Sequence, residues 1–209
     1  MAKLLYIQAS PREKRSSSIQ TADAFVEAYK AKHPADKVET LNLFKADLPS
    51  FDGLTIQGKY NIMHGAAFSP EQKKAWDAVV KIIDHFKSFD KYVLAVPMWN
   101  FGIPYRLKHY LDLIIQPTLT FSVSDKGYEG LVKGRLAMVV YARGGSYAPG
   151  TPAEGFDLQK KYLELALGFI GFTDIASIVV EPTLQGAAEK IEAMTESCKK
   201  QARKLAENF

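Results

Sequence analysis

Hydroxyl side chains follow the first apolar run of the chain and directly precede a helical pattern. The run at residues 3–8 leads to Ser10 and then to the cluster Ser16, Ser17 and Ser18. A strand that feeds a helix in this way presents unpaired backbone N–H groups and the positive helix end to an anion, and hydroxyls add donors. These serines therefore predict a phosphate site. Helix capping is the alternative, since serine is a favoured N-cap residue.

The same turn lacks the glycine patterns of two common phosphate-binding loops. It contains neither Gly-x-Gly-x-x-Gly, which admits a dinucleotide pyrophosphate, nor Gly-x-x-x-x-Gly-Lys-Ser/Thr, which wraps the phosphates of a nucleoside triphosphate. A hydroxyl-rich loop suits a single terminal phosphate. The sequence therefore favours a cofactor that carries one such group.

A second candidate site follows a later apolar run and combines proline and glycine with large apolar residues. Its members are Pro97, Met98, Trp99, Asn100 and Phe101. Apolar side chains in such a loop form a wall on which a flat ring can dock, and Asn100 adds a polar group for a ring nitrogen. The alternative is that Trp99 and Phe101 are core or interface residues.

The third candidate site comprises Ala142, Arg143, Gly144 and Gly145. Adjacent glycines let the backbone take positive φ and approach a ligand closely, so that its N–H groups could meet the carbonyl edge of a ring. Alone, this is an ordinary turn signal. Its position after a strand, like the other two loops, makes it a candidate binding loop.

Apolar runs alternate with helical patterns along the chain, which is typical of βαβ units and a parallel sheet. We predict strands at residues 3–8, 37–43, 92–97, 136–141 and 174–180. We predict helices at about 17–32, 70–88, 104–115, 157–168 and 185–208. These elements predict a single α/β domain over residues 1–209. Its fold class is a flavodoxin-like, doubly wound five-stranded parallel sheet of order 2-1-3-4-5, with helices on both faces and FMN beyond the first and third strands.

Two segments depart from this minimal pattern. Residues 44–69 form a long connection with several glycines and prolines, and residues 119–133 resemble a β-hairpin. Long connections are usually lids, interfaces or mobile segments. We expect one of these roles for residues 44–69.

Composition excludes several classes of protein. No apolar run approaches the roughly 20 residues of a membrane span, and the N-terminal run does not resemble a signal peptide. The net charge is +4 with scattered basic residues, so we expect neither a nucleic-acid nor a membrane partner. Cys198 is the only cysteine, which leaves no intramolecular disulfide and no zinc cluster. We predict a cytoplasmic protein without a metal site.

Taken together, these motifs make the chain resemble the bacterial FMN-dependent NADH azoreductase and quinone reductase family. The segments that carry the resemblance are residues 9–12, 16–18, 97–104, 107–108, 130–132, 143–145 and 167–172. Two positions depart from the pattern of the family. Trp99 stands where many members carry tyrosine, and Ala142 stands where serine or threonine is common.

The resemblance implies a homodimer with two FMN sites at the subunit interface. It places Ser10 and residues 16–18 at the phosphate, residues 98–101 along the isoalloxazine and ribityl chain, and residues 142–145 at the pyrimidine edge. The substitutions at Trp99 and Ala142 would then affect substrate range and flavin tuning rather than flavin binding.

The resemblance also implies a reaction. NADH or NADPH gives hydride to the flavin, and two electrons then pass to a quinone or an aromatic azo compound in a ping-pong cycle. Phe121 and Phe172 would help to form the substrate pocket, and no side chain is assigned as catalytic. His109 and Asp112 have helical spacing, which we interpret as a structural pair rather than a dyad. Cleavage of an azo bond to two amines takes two cycles.

Two other functions stay open from the residues alone. The chain could be a flavodoxin-type electron carrier without substrate turnover, although its mildly basic charge and aromatic loops favour a substrate pocket. It could also be a flavin-free phosphate-binding or structural protein, which the serine cluster by itself allows. Turnover with NADH separates the first alternative from an enzyme. A colourless protein that refuses added FMN would favour the second.

Overall fold

A parallel sheet of five strands forms the centre of the protein. The computed structural model describes residues 1–67 and 69–209. In chain order the strands are β1 (Lys3–Gln8), β2 (Lys37–Asn42), β3 (Lys91–Pro97), β4 (Phe121–Ser124), β5 (Gly127–Gly130), β6 (Leu136–Ala142) and β7 (Asp174–Val180). The sheet has the order β2-β1-β3-β6-β7 with every pair parallel. This is the predicted order 2-1-3-4-5 once the hairpin strands β4 and β5 are left out of the count.

Helices cover both faces of the sheet. They are α1 (Ser17–Lys32), α2 (Gly53–Met63), α3 (Pro70–Lys87), α4 (Tyr105–Ile114), α5 (Leu158–Ile170) and α6 (Ala188–Ala206). One core cluster joins the sheet to α1 and α6, and the other joins it to α3, α4 and α5. Because both faces are covered, β1 and β3 are almost continuously apolar, as the runs Leu-Leu-Tyr-Ile and Tyr-Val-Leu-Ala-Val illustrate. Among the described residues, every helix is too short or too polar to cross a bilayer.

Helix α2 lies inside the connection 44–69, where the sequence predicted no regular element. Asp52 starts the helix, because its carboxylate accepts hydrogen bonds from the backbone of Leu54 and Thr55 at 3.1 and 3.3 Å. The glycines of this connection, Gly53, Gly58 and Gly65, indicated turns instead. The aspartate followed by helix-compatible residues was the signal that would have found α2.

The β4–β5 hairpin confirms the prediction for residues 119–133 and lies where the sheet strands begin. Lys87, at the end of α3, donates to the carbonyl of Leu119 at 3.0 Å. The backbone N–H of Val132 donates to the carbonyl of Ile170, at the end of α5, at 2.8 Å. Both helices run antiparallel to the strands they precede. The hairpin is therefore at the edge opposite to the carboxyl ends of the strands.

Candidate functional site

The three predicted loops follow three neighbouring strands, so they meet at one edge of the sheet. Strand β3 lies between β1 and β6. Beyond the strand ends, the N–H of Ala9 donates to the carbonyl of Ala95 at 3.0 Å, and the N–H of Met98 donates to that of Ala142 at 2.8 Å. Pro97 is paired with Ala142 in the sheet register. The loops after β1, β3 and β6 are thus fixed side by side at the carboxyl edge.

The serines after β1 are buried at the start of α1, and their hydroxyls do not cap the helix. Ser16 is the N-cap residue, but within the described part of the chain its side chain accepts no hydrogen bond from the first turn. Its oxygen lies 3.0 Å from the Ser18 hydroxyl. Ser17, half-buried, is the first helical residue. Ser16 thus occupies the N-cap position without making a side-chain capping bond, and the first N–H groups of the helix stay available to an anion.

Ser10 completes this group from the other side of the turn. Its side chain is buried, and its hydroxyl accepts a weak hydrogen bond from the backbone N–H of Arg12 at 3.3 Å. The hydroxyl hydrogen is not used in that bond. Ser10, Ser16 and Ser18 thus offer hydroxyl donors beside the positive end of a 16-residue helix, which suits a terminal phosphate.

The loop after β3 is a tight turn that projects two aromatic side chains outward. Trp99 and Gly102 exchange two backbone hydrogen bonds of 3.0 Å, and the residues between them, Asn100 and Phe101, have φ of 46° and 69°. Positive φ is uncommon for a bulky residue and costs on the order of 1–3 kcal/mol. Trp99 is 37% exposed and Phe101 is 46% exposed. They are therefore not core residues, and the strained turn holds them in the open.

Further aromatic rings flank this turn, and sequence reasoning missed them. Trp99 lies 5.8 Å from Phe44 and 6.3 Å from Tyr105 between ring centroids. On the other side, Phe101 lies 5.3 Å from Phe156. Tyr105 is close in the chain, at the start of α4, but Phe44 and Phe156 come from distant segments. The signal that could have found Phe44 is its position directly after β2, at the same edge of the sheet.

The glycines after β6 do not have the backbone conformation that was predicted. Gly144 and Gly145 do not have positive φ, so that expectation is wrong. A Cβ atom at Gly144 would lie 3.0 Å from Leu184, and one at Gly145 would lie 3.4 Å from Gln185. The segment after β7 packs directly on this loop. The glycines thus leave room for the close approach of the Leu184 and Gln185 side chains.

Arg143, predicted to contact the cofactor, directs its side chain into the protein. The residue is 3% exposed, and its guanidinium binds Asp157 at 2.7 Å, Gln159 at 3.1 Å and Glu181 at 3.3 Å. Its backbone N–H donates to Val180 at 3.0 Å. The guanidinium is thus engaged in internal contacts and not directed at a ligand.

Phe121 and Phe172 lie far from the three loops within one chain. Phe121 is on the hairpin, with its ring centroid 4.8 Å from that of Phe169 near the end of α5. Phe172 is 3% exposed and packs on Tyr92 near the start of β3, with centroids 5.1 Å apart. Phe172 therefore packs in the core of the single chain, at the side of the sheet opposite to the loops, and its role in a substrate pocket stays a prediction. Phe121 could join the loops only from a second copy of the chain.

His109 and Asp112 do not form a dyad. The imidazole lies 2.9 Å from the carbonyl oxygen of Pro49, and Asp112 pairs with Lys108 at 2.6 Å. Burial lowers the pKa of Lys108, but the hydrogen bond and the charge of Asp112 outweigh it and raise the pKa overall. The first contact joins α4 to the segment after β2, and the second is a pair within α4, so both are structural, as interpreted from the sequence.

Comparison with known proteins places this arrangement in context. Residues 2–205 match a family described by its flavodoxin-like fold. The chain is 54% identical, over the full length of both proteins, to an FMN-dependent NADH:quinone oxidoreductase of Nitratidesulfovibrio vulgaris. An azoreductase structure from Bacillus anthracis strain Sterne superposes with a TM-score of 0.92 at 31% identity, covering all of both chains. An FMN-dependent NADH-azoreductase of strain Ames Ancestor, in complex with FMN, gives 0.86 at 28% identity over 99% of this chain and 100% of that one.

Proposed function

Because the chain belongs to the family of FMN-dependent NADH:quinone oxidoreductases and azoreductases, we propose that it binds FMN and reduces quinones and aromatic azo compounds with electrons from NADH or NADPH. The observation that carries the proposal is the meeting of three loops at one edge of the sheet. The β1 loop offers buried hydroxyls, and the neighbouring β3 loop offers exposed aromatic rings. This pairing suits a molecule with a phosphate at one end and a flat ring at the other.

The residues of the site fit FMN. Ser10, Ser16 and Ser18, with the N–H groups of α1, would hold its phosphate, and Met98 to Phe101 would contact its ring system. When bound, FMN would supply the redox chemistry, as a hydride acceptor toward the nicotinamide and a two-electron donor toward the acceptor. The backbone of residues 142–145 would meet the polar ring edge. The protein thus orients the cofactor and its substrates, and no side chain acts as nucleophile.

Donor and acceptor would use one aromatic surface in turn. Trp99 and Phe101 are both exposed on the same turn, and apolar rings of this kind suit both nicotinamide and quinone. We propose that the oxidised donor leaves before the acceptor binds, which is a ping-pong order. The balance for one cycle is NADH, a proton and quinone giving NAD⁺ and hydroquinone. An azo bond needs two cycles, or four electrons, to give two amines.

A second copy of the chain would complete the substrate pocket. Phe121 lies at the edge of the sheet opposite to the loops, so in one chain it cannot reach the β3 turn. Large apolar side chains are exposed on α2 and around the β3 turn, as a protein interface requires. They include Leu54, Tyr60, Met63, Phe101 and Tyr105. We therefore propose a homodimer in which the hairpin of each subunit approaches the site of its partner.

The proposed function predicts a specific spectral sequence. The FMN-reconstituted protein, held without oxygen, should lose its visible flavin absorbance when NADH is added and regain it when benzoquinone is added. Steady-state rates at several NADH concentrations should give parallel double-reciprocal lines, as a ping-pong order requires. The same protein without FMN is the matched control and should give neither signal.

The other outcomes separate the alternative functions. A flavin spectrum that neither NADH nor NADPH bleaches would indicate an electron carrier and contradict an enzyme. A protein that stays colourless with added FMN would contradict the proposal altogether. Bleaching by NADPH but not by NADH would agree with the proposed reaction and identify NADPH as the electron donor.

Phe121 provides a test of the shared pocket. Phe121→Ala should lower kcat/KM for quinone by about tenfold, or about 1.4 kcal/mol, because a ring that covers the acceptor is lost. FMN binding should not change, since the loops of the same chain hold the cofactor. Val123→Ala, at an exposed site on the same strand, is the control. A monomeric enzyme, or an unchanged kcat/KM in Phe121→Ala, would exclude this role.

A further inference from the structure

We propose that Arg143, Asp157, Gln159 and Glu181 form a loop clamp, a buried polar cluster that sets the spacing between the β3 and β6 loops. The inference rests on the proposed function, since these loops are the ones assigned to the flavin ring. It concerns positioning residues, which would touch neither FMN nor substrate through their side chains.

The centre of the clamp is the guanidinium of Arg143. It donates to three acceptors from two parts of the chain: Asp157 and Gln159 at the start of α5, and Glu181 after β7. Gln159 is fully buried, and the carboxylate side chains are 11% exposed. Asp157 also caps α5 by accepting from the backbone N–H of Lys160 at 3.0 Å. The guanidinium of Arg143 thus links the β6 loop to the start of α5 and to the end of β7.

The clamp also forms hydrogen bonds with backbone groups of the β3 and β6 loops, which are the loops assigned to the flavin ring. The amide of Gln159 donates to the carbonyl of Val96 at 2.9 Å, directly before the β3 loop. The N–H of Leu158 donates to the carbonyl of Phe101 at 3.1 Å, inside the strained turn. At the far end of the β6 loop, the N–H of Tyr147 donates to Glu181 at 3.0 Å. Movement of the cluster would therefore shift both loops together.

The energetics favour a positioning role over a stabilising one. A buried ion pair contributes little net stability, because the loss of hydration offsets the attraction between the charges. Arg143 instead fixes the relative positions of its partners, since its planar guanidinium offers donors at fixed angles to several acceptors. Lysine keeps the charge but has a compact ammonium, which cannot reproduce this arrangement. Arg143→Lys thus tests geometry with little change in charge.

The experiment measures FMN binding and flavin potential in Arg143→Lys and Gln159→Met. We expect the FMN dissociation constant to rise about tenfold in each variant, because the loops that contact the ring lose their common anchor. The two-electron potential of the bound flavin should also shift, by about 30 mV for each tenfold difference between the effects on oxidised and reduced flavin. In a double-mutant cycle the effects should be non-additive, since the two side chains are in contact.

Controls separate the clamp from a loss of folding and from a failure of the proposed function. Arg135→Lys alters an arginine that pairs with Asp90 at 2.7 Å at the opposite edge of the sheet, and it should change neither quantity. Thermal unfolding without FMN reports stability, and Gln159→Met provides a test should Arg143→Lys fail to fold. Unchanged binding and potential in folded variants of a wild type that binds FMN would overturn the clamp. A wild type that binds no FMN would overturn the proposed function instead.

Discussion

Replacing Ser18 by aspartate is expected to weaken FMN binding by about a hundredfold, or about 2.7 kcal/mol, and to leave riboflavin binding unchanged. Ser18 is fully buried, and its hydroxyl lies 3.0 Å from that of Ser16 at the start of α1. The substitution removes a donor from the phosphate and places a like charge beside it. Riboflavin has no phosphate, so its affinity should report only the ring contacts.

The fold should tolerate this change. An acidic residue in the first turn interacts favourably with the positive end of the helix, which offsets part of the cost of its burial. Titration of the apo-protein with FMN and with riboflavin, followed by flavin fluorescence, measures both affinities. Ser124→Asp makes the same substitution at the exposed tip of the hairpin, at the opposite edge of the sheet. An equal loss of affinity for FMN and for riboflavin would show that the phosphate does not bind at this site.

The strands and the three loops could be predicted because their signals are local. In β1 and β7 the observed bounds are the predicted ones, since apolar runs end there in small residues or proline. Each loop was located by the residue types that follow such a run. Parallel strands then bring their carboxyl ends to one edge, so adjacency of the loops followed from the strand order.

What sequence reasoning missed depends on contacts between distant residues. Arg143 meets its partners 14, 16 and 38 residues away, so nothing beside it in the chain indicates an internal role. Gly144 could serve either positive φ or close packing, and the folded backbone, with Leu184 beside it, shows the second. Phe172 has the residue type of a pocket wall and of a core residue alike. In each case the sequence gives the residue type, but the contacts of that residue are made by segments distant in the chain.

Gly130 occupies the tightest glycine contact described, where the hairpin crosses the end of α5. A Cβ atom on Gly130 would lie 2.3 Å from the backbone nitrogen of Gly171 and 2.4 Å from the carbonyl carbon of Ile170. Neither neighbour is a flexible side chain, so the backbone itself would have to move. Gly130→Ala should therefore lower the free energy of unfolding by about 3 kcal/mol and Tm by roughly 10 °C.

Gly168→Ala, on the same helix end, is the matched control for this prediction. A Cβ atom there would meet nothing within 4 Å, and alanine favours a helix over glycine, so stability should rise by about 0.5–1 kcal/mol. Because the hairpin lies opposite to the phosphate and ring loops, Gly130→Ala should retain FMN affinity at temperatures where it is folded. Its quinone turnover should fall, since the hairpin carries Phe121. An unchanged Tm would mean that the hairpin does not rest on α5 as described, and the proposed approach of Phe121 to a partner site would lose its structural basis.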